Sequence, residues 1–250
     1  MHAPATKADP AGAPTTATVP IGALELLLAD GRFPGGGFAH SGGLEPAVAD
    51  GSVGDVASLR AFVAGRLHSG GWVDGWLAAA ACRAVRDVRD VRDVSDVTDV
   101  TDVRDAAPAL RRLDATAEAG QPSPALREAA RAQGRGLRRS AAVLWPEAAS
   151  LACEVQPVVL GAVAALAGLE PLAAARLAAY GVAMTIASAA AKLAALDMAD
   201  ALAVVAGLAG DIDAVAAGAA AAPALRARSA PWHELRAEQH RAWEVRLFAS

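Results

Sequence analysis

Five histidines are the residues of this chain best suited to metal binding or proton transfer. They are His2, His40, His68, His233 and His240. No two of them form an HxH, HxxxH or HExxH pair. His233 and His240 share one face of a predicted helix, but seven residues separate them by about 10.5 Å along its axis, too far for one ion. We therefore expect no metal site in this chain.

The two cysteines, Cys82 and Cys153, lie far apart in the sequence and form no CxxC pair. Both fall in alanine-rich segments, where a small buried thiol is the usual role. The chain has no GxSxG nucleophile motif, no cysteine–histidine signature and no evident pair of carboxylates. These observations predict a protein that is not an enzyme and that works in a reducing compartment, the cytoplasm.

A glycine-dense segment, GRFPGGGFAHSGG, spans residues 31–43 and contains six glycines. It is not a phosphate-binding P-loop, because no lysine follows its glycines, and a helix rather than a strand is predicted before it. Glycine is used where the backbone needs positive φ or a close approach. Six glycines exceed the needs of one turn, so we also expect the segment to be a place where a partner docks.

The composition favours an all-helical protein. Apolar residues make up 54% of the chain, charged residues 20% and aromatic residues only 4%, and alanine, the best helix former, is abundant. A formal charge of −4 gives no drive toward nucleic acid. The longest uncharged interior runs, Val155–Leu169 and Leu177–Ala191, have 15 residues each, whereas a membrane span needs about 20. We expect buried helices and no membrane segment.

Periodicity and capping signals predict one domain, an all-α bundle of about ten helices over residues 21–250, after a disordered tail at residues 1–20. Gly70 and Gly71 are predicted to break a helix. Four further glycines interrupt good helices, which close helix packing would explain: Gly136, Gly161, Gly181 and Gly207. The predicted helices are 21–29, one capped by Asp55, 72–85, 107–119, 124–144, 157–168, 171–206, 211–222 and 232–247.

A low-complexity segment at residues 85–105 repeats valine every third position with aspartate two residues after each. Three residues advance a helix by about 300°, so the valines do not form one buried stripe. The aspartates also repel one another at i,i+3. We predict a solvated insertion, mobile or marginally helical, so that deleting residues 86–105 would preserve most of the fold.

The end of the chain is unusually apolar. Trp243 and Leu247 share one helix face at i,i+4, with Arg246 beside them. Tryptophan and arginine are enriched at interface hot spots. Residues 232–250 are therefore either docked on the chain's own core or a segment that orders on binding a partner, and on the second interpretation residues after about Trp243 are mobile in the free protein.

Two motifs at opposite ends of the chain give it a resemblance to the UreF family of urease accessory proteins. Residues 30–45, DGRFPGGGFAHSGGLE, are similar to the family's N-terminal loop, and residues 246–250, RLFAS, resemble its ending. His240 or His233 matches an upstream histidine. Lys192 matches a basic residue, but Ala195–Met198 replaces the Pro-Leu-Gly-Gln run that commonly follows it in the family.

The resemblance implies an all-helical fold without catalysis, in a protein that bridges UreD (also called UreH) and the GTPase UreG while the complex delivers nickel to apo-urease. It implies that the C-terminal tail orders when UreD binds, that the chain forms a homodimer through Arg176 and Tyr180, and that nickel is handled by the complex with no tightly bound cofactor here. The partner-binding residues that it implies are Phe38, His40, Ser41, Arg246, Leu247, Phe248 and Ser250.

Two other functions stay open from the residues alone. One is a helical small-molecule-binding enzyme that uses the loop at 31–43. The other is a chaperone that binds nickel directly.

Overall fold

The computed structural model of the chain describes residues 22–31, 33, 39–92, 103–194, 196–226, 228 and 230–248, with the side chains of 90–92 left aside. The predicted disordered tail at residues 1–20 lies outside these ranges. Throughout the described part of the chain, the regular elements are helices and no strand occurs. The predicted all-α fold class is confirmed.

Eleven α-helices follow one another along the described residues, together with a π-helical turn at Leu67–Gly71 and two 3₁₀ turns at Val103–Ala106 and Pro146–Ser150. The α-helices are α1 (Ala23–Ala29), α2 (Leu44–Ala49), α3 (Val56–Arg66), α4 (Trp72–Arg92), α5 (Ala107–Ala119), α6 (Pro124–Leu144), α7 (Gln156–Leu166), α8 (Pro171–Leu193), α9 (Met198–Gly207), α10 (Ala209–Ala221) and α11 (Pro231–Arg241).

Helices with strong capping signals begin where the sequence predicts. The Ser123 hydroxyl accepts a hydrogen bond from the Leu126 amide at 3.2 Å, and Pro124 takes the first position of α6. Asp55 caps α3 by accepting from the Ser58 amide at 2.7 Å. The predicted bounds of α5 and α6 are both confirmed to the residue.

Other predicted bounds were wrong. Gly70 and Gly71 do not end the helical conformation, because they belong to a π-helical turn that connects α3 directly to α4. The predicted helix at 171–206 is two helices, since Asp197 caps a new one by accepting from the Ala199 amide at 2.9 Å. α2 was not predicted at all, and α11 ends at Arg241 rather than 247.

Both ends of the valine–aspartate repeat belong to the folded body. Val85 and Val103 are fully buried, and α4 continues through the repeat to Arg92. Arg86 forms an ion pair with Glu170 at 2.7 Å, and Arg89 donates to the Ala165 carbonyl at the end of α7 at 3.1 Å. The prediction of a solvated insertion over all of 85–105 was therefore wrong at both ends, while the outcome of deleting residues 86–105 stays a prediction. Residues 93–102 lie outside the described part of the chain.

α7 lies at the centre of the bundle and packs against α4, α6 and α8. Every residue from Pro157 to Leu166 is buried. A Cβ at Gly161 would lie 2.0 Å from the carbonyl oxygen of Ala78 on α4, so close helix packing explains this glycine as predicted. Gly181 differs, since a Cβ there would meet nothing within 4 Å.

α8 runs through the bundle between two apolar clusters. Its N-terminal half packs with α4 and α7 in a cluster that also includes residues of α6, and its C-terminal half packs with α2, α3, α9 and α10. By length and composition α8 could cross a membrane, but more than half of its apolar stretch is buried inside this chain. That burial is typical of the core helix of a soluble bundle, which is the expectation from the sequence.

Candidate functional site

The end of the glycine-dense segment turns the chain sharply into α2. Gly42 and Gly43 have φ of +63° and +85°, a conformation that favours glycine. A Cβ on Gly42 would also lie 2.9 Å from Ile186 of α8. The Ser41 hydroxyl accepts from the Glu45 amide at 3.3 Å and so satisfies one free amide at the start of α2. This turn directs the Glu45 side chain inward, where it is only 7% exposed.

α11 is held beside α2 by polar contacts along its length. Arg236 donates to the Asp50 carboxylate at 2.8 Å and to the Ser52 hydroxyl at 2.6 Å, just after α2 ends. Glu238 accepts from the Ala125 amide at 2.9 Å and from the Ser123 hydroxyl, at the start of α6. These contacts fix the helix from which the chain's last residues leave.

The carboxylate of Glu45 connects the start of α2 to the C-terminal tail. Its oxygens accept from the backbone amides of Leu247 at 2.8 Å and Phe248 at 3.0 Å. The ring nitrogen Nε2 of His240 lies 2.9 Å from the same carboxylate. We call Glu45, His240, Leu247 and Phe248 the Glu45 cluster. It brings residues about 200 positions apart into one site.

Within the cluster the two neighbouring tail side chains have opposite environments. Phe248 is 7% exposed and packs into the apolar cluster around the C-terminal half of α8, with the Lys192 ammonium 5.5 Å from its ring centroid. Leu247 is 72% exposed. Arg246 is exposed as well. The tail therefore buries one anchor and presents an apolar residue and a cation to solvent.

A cavity of about 930 Å³ lies beside the Glu45 cluster, and His40 and Phe248 are among its lining residues. Its polar end includes Arg66, Asp74 and His233. Burial raises the pKa of Asp74 to about 6, although Arg66 opposes that shift. Burial, with the charges of Arg66 and Arg236, holds the pKa of His233 well below its usual 6.5. Burial also lowers the pKa of His40.

The geometry explains why the residue before α2 is glycine. A Cβ on Gly43 would lie 2.3 Å from Nδ1 of His233, a buried atom that has no hydrogen-bond partner in the part of the chain that the structure describes. Among the described residues, no group of three or more histidine, cysteine or acidic side chains is arranged to hold a metal ion.

The structure brings together several of the predicted partner-binding residues. His40 and Ser41 are buried at the turn into α2, Phe248 is buried beside it, and Arg246 and Leu247 are exposed. Phe38 and Ser250 lie outside the described residues. In the described structure the tail is docked, because Glu45 accepts from its amides and the Phe248 side chain lies in the core. The expected mobility of residues after about Trp243 in the free protein stays a prediction.

Arg176 and Tyr180, predicted for a dimer contact, lie on α8 before Ile186, the residue that the Gly42 turn approaches. By helix rise they are about 15 Å and about 9 Å from it along the axis. Arg176 forms ion pairs with Glu25 at 3.1 Å and with Asp213 at 3.0 Å, and so ties α1 and α10 to α8. Tyr180 is half-buried and lines the cavity. The dimer contact stays a prediction.

Glu45 is the residue that sequence reasoning missed. It closes the N-terminal motif, Ser41-Gly42-Gly43-Leu44-Glu45, but was read only as part of a signature. An acidic residue in the first turn of a helix is common because it interacts favourably with the helix dipole, so nothing local in the sequence marks Glu45 as buried. His240 was considered for a metal site with His233 and as a match to a family histidine. Its contact with the Glu45 carboxylate was not predicted.

Comparison with known proteins gives one consistent result. The family model described as UreF matches residues 53–209. A protein of Mycobacterium sp. (strain JLS) named urease accessory protein UreF is 39% identical over 229 residues, which is 90% of this chain and 97% of the relative. A protein of Mycolicibacterium vanbaalenii with the same name is 37% identical over 228 residues, 90% of this chain and 97% of the relative.

Proposed function

The chain belongs to the UreF family of urease accessory proteins, and from this premise we propose that it acts in urease maturation as a bridging scaffold. It links UreD (UreH) to the GTPase UreG within the complex that delivers nickel to apo-urease. Its relatives are accessory proteins and not catalysts, so the chain carries out no reaction of its own.

The observation that carries this proposal is the Glu45 cluster. The two segments that resemble the family's signatures meet there through two short contacts to one carboxylate, and His240 of α11 supplies a third. Because the fold brings these two short motifs into one surface, a single binding role for both of them is a simple explanation. That surface is the site to which we assign partner binding.

The chemistry of the exposed tail suits a protein partner. Val245 and Leu247 are largely exposed. Covering such apolar side chains with a partner contributes favourable free energy to binding, because their surface is removed from water. Arg246 lies between them and offers five donors in a fixed plane, which suits carboxylate or carbonyl groups at an interface. UreD would cover the apolar residues, and UreG would meet the arginine side.

Nickel is cargo of the complex in this proposal. The chain contributes a docking surface and the cavity beside it, and it binds no cofactor tightly. We place the protein in the cytoplasm, where urease is assembled, and in the complex as a homodimer.

A double variant, Arg176→Ala with Tyr180→Ala, tests the homodimer. We expect it to run as a monomer at micromolar concentration in size-exclusion chromatography with light scattering, where the parent runs as a dimer. Glu25→Gln is the matched control, because it breaks an ion pair of Arg176 within the chain and leaves Arg176 and Tyr180 in place. An unchanged mass for the double variant contradicts the assignment, as does loss of the dimer in the control alone.

Complementation in cells tests the function as a whole. In a host that carries the urease structural and accessory genes but lacks this one, we expect urease without nickel and without activity, and restoration of both by the chain. Urease of full activity and nickel content in the absence of this gene would overturn the proposal.

A further inference from the structure

We propose that Glu45 is the positioning residue of the partner-docking surface: its carboxylate sets the register of the C-terminal tail and thereby decides which side chains face the partner. This inference rests on the proposed function, since it assigns a residue to the docking that the function requires. Nothing in the comparisons gives Glu45 this role.

The first argument is geometric. Both oxygens of one carboxylate accept from two consecutive amides, those of Leu247 and Phe248. A tail that slipped by one residue would present different amides and would bring Leu247 or Ala249 to the apolar pocket in place of the ring. The double contact therefore couples the position of the backbone to the burial of Phe248 and the exposure of Leu247.

The second argument concerns the buried charge. A carboxylate as buried as Glu45 is costly unless donors surround it. The described structure gives it two tail amides and the His240 ring, while Ser41 satisfies its own backbone amide. Without the tail, two of these donors are lost, so the carboxylate and the tail hold each other in place. Bonds to a charged acceptor are stronger than neutral ones, which favours this register over others.

The test replaces the carboxylate by an amide of the same shape. The Gln side chain of Glu45→Gln has only one acceptor oxygen. Its NH₂ group would face one of the two tail amides and cannot accept a hydrogen bond from it. We expect amide hydrogen exchange at Leu247 and Phe248 to rise at least tenfold, and capture of purified cognate UreD to weaken at least tenfold. Glu128→Gln is the matched control, the same chemical change on the exposed face of α6, and it should alter neither.

A second background separates positioning from general support of the fold. In a chain truncated after Arg246, which lacks both tail donors, we expect Glu45→Gln to lower the thermal midpoint less than it does in the full chain. Non-additivity of this kind is the mark of two changes that act through one contact. If Glu45→Gln does not fold, Leu247→Pro removes one donor without touching Glu45, and exchange at the Phe248 amide should rise above that of Leu247→Ala.

Several results would overturn the inference. Unchanged exchange at the two amides in Glu45→Gln shows that the carboxylate does not hold the tail. Faster exchange with unchanged UreD capture shows that register does not matter for docking, and an equal fall of the thermal midpoint in both backgrounds shows a structural role only. If the unmutated chain fails to capture UreD, the proposed function fails, while the exchange measurement still decides whether Glu45 sets the tail.

Discussion

Removing the ring of Phe248 should release the tail without unfolding the protein. The ring is 7% exposed and belongs to the apolar cluster around the C-terminal half of α8. An ordinary core phenylalanine costs about 3–5 kcal/mol when it is truncated to alanine. Phe248 differs because it belongs to the segment that follows the last helix, α11, and this segment can leave its site while the helices stay folded.

The magnitude follows from what docking gains and costs. Burial of the ring contributes about 1.5–3 kcal/mol, and each of the two amide bonds to Glu45 about 1.5–3 kcal/mol. Ordering the six residues from Trp243 to Phe248 costs about 1–2 kcal/mol each. Phe248→Ala removes the ring's share of the gain, which changes the equilibrium constant between undocked and docked tail by about 10- to 100-fold.

Hydrogen exchange measured by mass spectrometry on peptides covering 243–248 is the assay, with thermal unfolding alongside it. We expect faster exchange confined to this segment and a thermal midpoint lowered by only a few degrees, since about 1 kcal/mol shifts the midpoint of a chain of this size by about 2–4 °C. Leu247→Ala, which truncates the exposed neighbour, is the control and should change little. A loss of ten degrees or more in Phe248→Ala would refute the reasoning, because the tail would then be part of the cooperative core.

Two further predictions concern the bundle and its pH response. Gly161→Ala should destabilise the fold by about 1–3 kcal/mol in urea denaturation, because its Cβ would overlap the Ala78 carbonyl. Gly181→Ala, which meets open space on α8, should be neutral or stabilising by up to about 1 kcal/mol, and a reversed order would contradict the packing assigned to α7. His233 has a lowered pKa in the folded state, so as pH falls below 6.5 the unfolded chain binds a proton that the folded chain refuses, and stability decreases. His233→Gln should reduce this slope by up to about 1.4 kcal/mol per pH unit between pH 6.5 and 5.5, and parallel unfolding curves for the two proteins would count against the shift.

Local signals in the sequence were sufficient where a helix ends in its own capping residues. Ser123 and Pro124 fix the start of α6 by contacts within four residues, and the prediction there was exact. The same reasoning missed the break between α8 and α9, because Asp197 sits in a continuous apolar pattern that a longer helix also satisfies. The Gly70–Gly71 pair was misread for a related reason: helix packing overrides the low helix propensity of glycine.

The site shows a second limit of sequence reasoning. The two motifs were identified from the chain's ends, and the tail residues Arg246, Leu247 and Phe248 were all named. The contact between the two motifs requires that the chain leaves α11 beside α2. The ion pair between Arg236 and Asp50, residues far apart in sequence, holds α11 in that place. Long-range ion pairs of this kind leave no periodic pattern, so Glu45 was not foreseen as the acceptor.

The repeat illustrates the opposite error. Its three-residue period predicted solvent exposure for every valine, and that argument holds only for an isolated helix. Val85 and Val103 are each buried by neighbouring helices of the bundle. Their burial therefore does not require a continuous stripe of valines along one helix face. Arg89 adds a contact to a carbonyl at the end of α7 that periodicity does not report.

Stepwise capture by purified partners tests the central claim, that the clustered ends of this chain form its docking surface. Immobilised full-length chain is offered cognate UreD and then UreG, beside a chain truncated after Glu244 and an Arg246→Ala variant, with thermal midpoints measured for all three. We predict that the full chain captures both partners, that the truncated chain keeps a midpoint within a few degrees but captures neither, and that Arg246→Ala retains UreD while losing most of UreG. Capture of both partners by the truncated, folded chain would contradict the account.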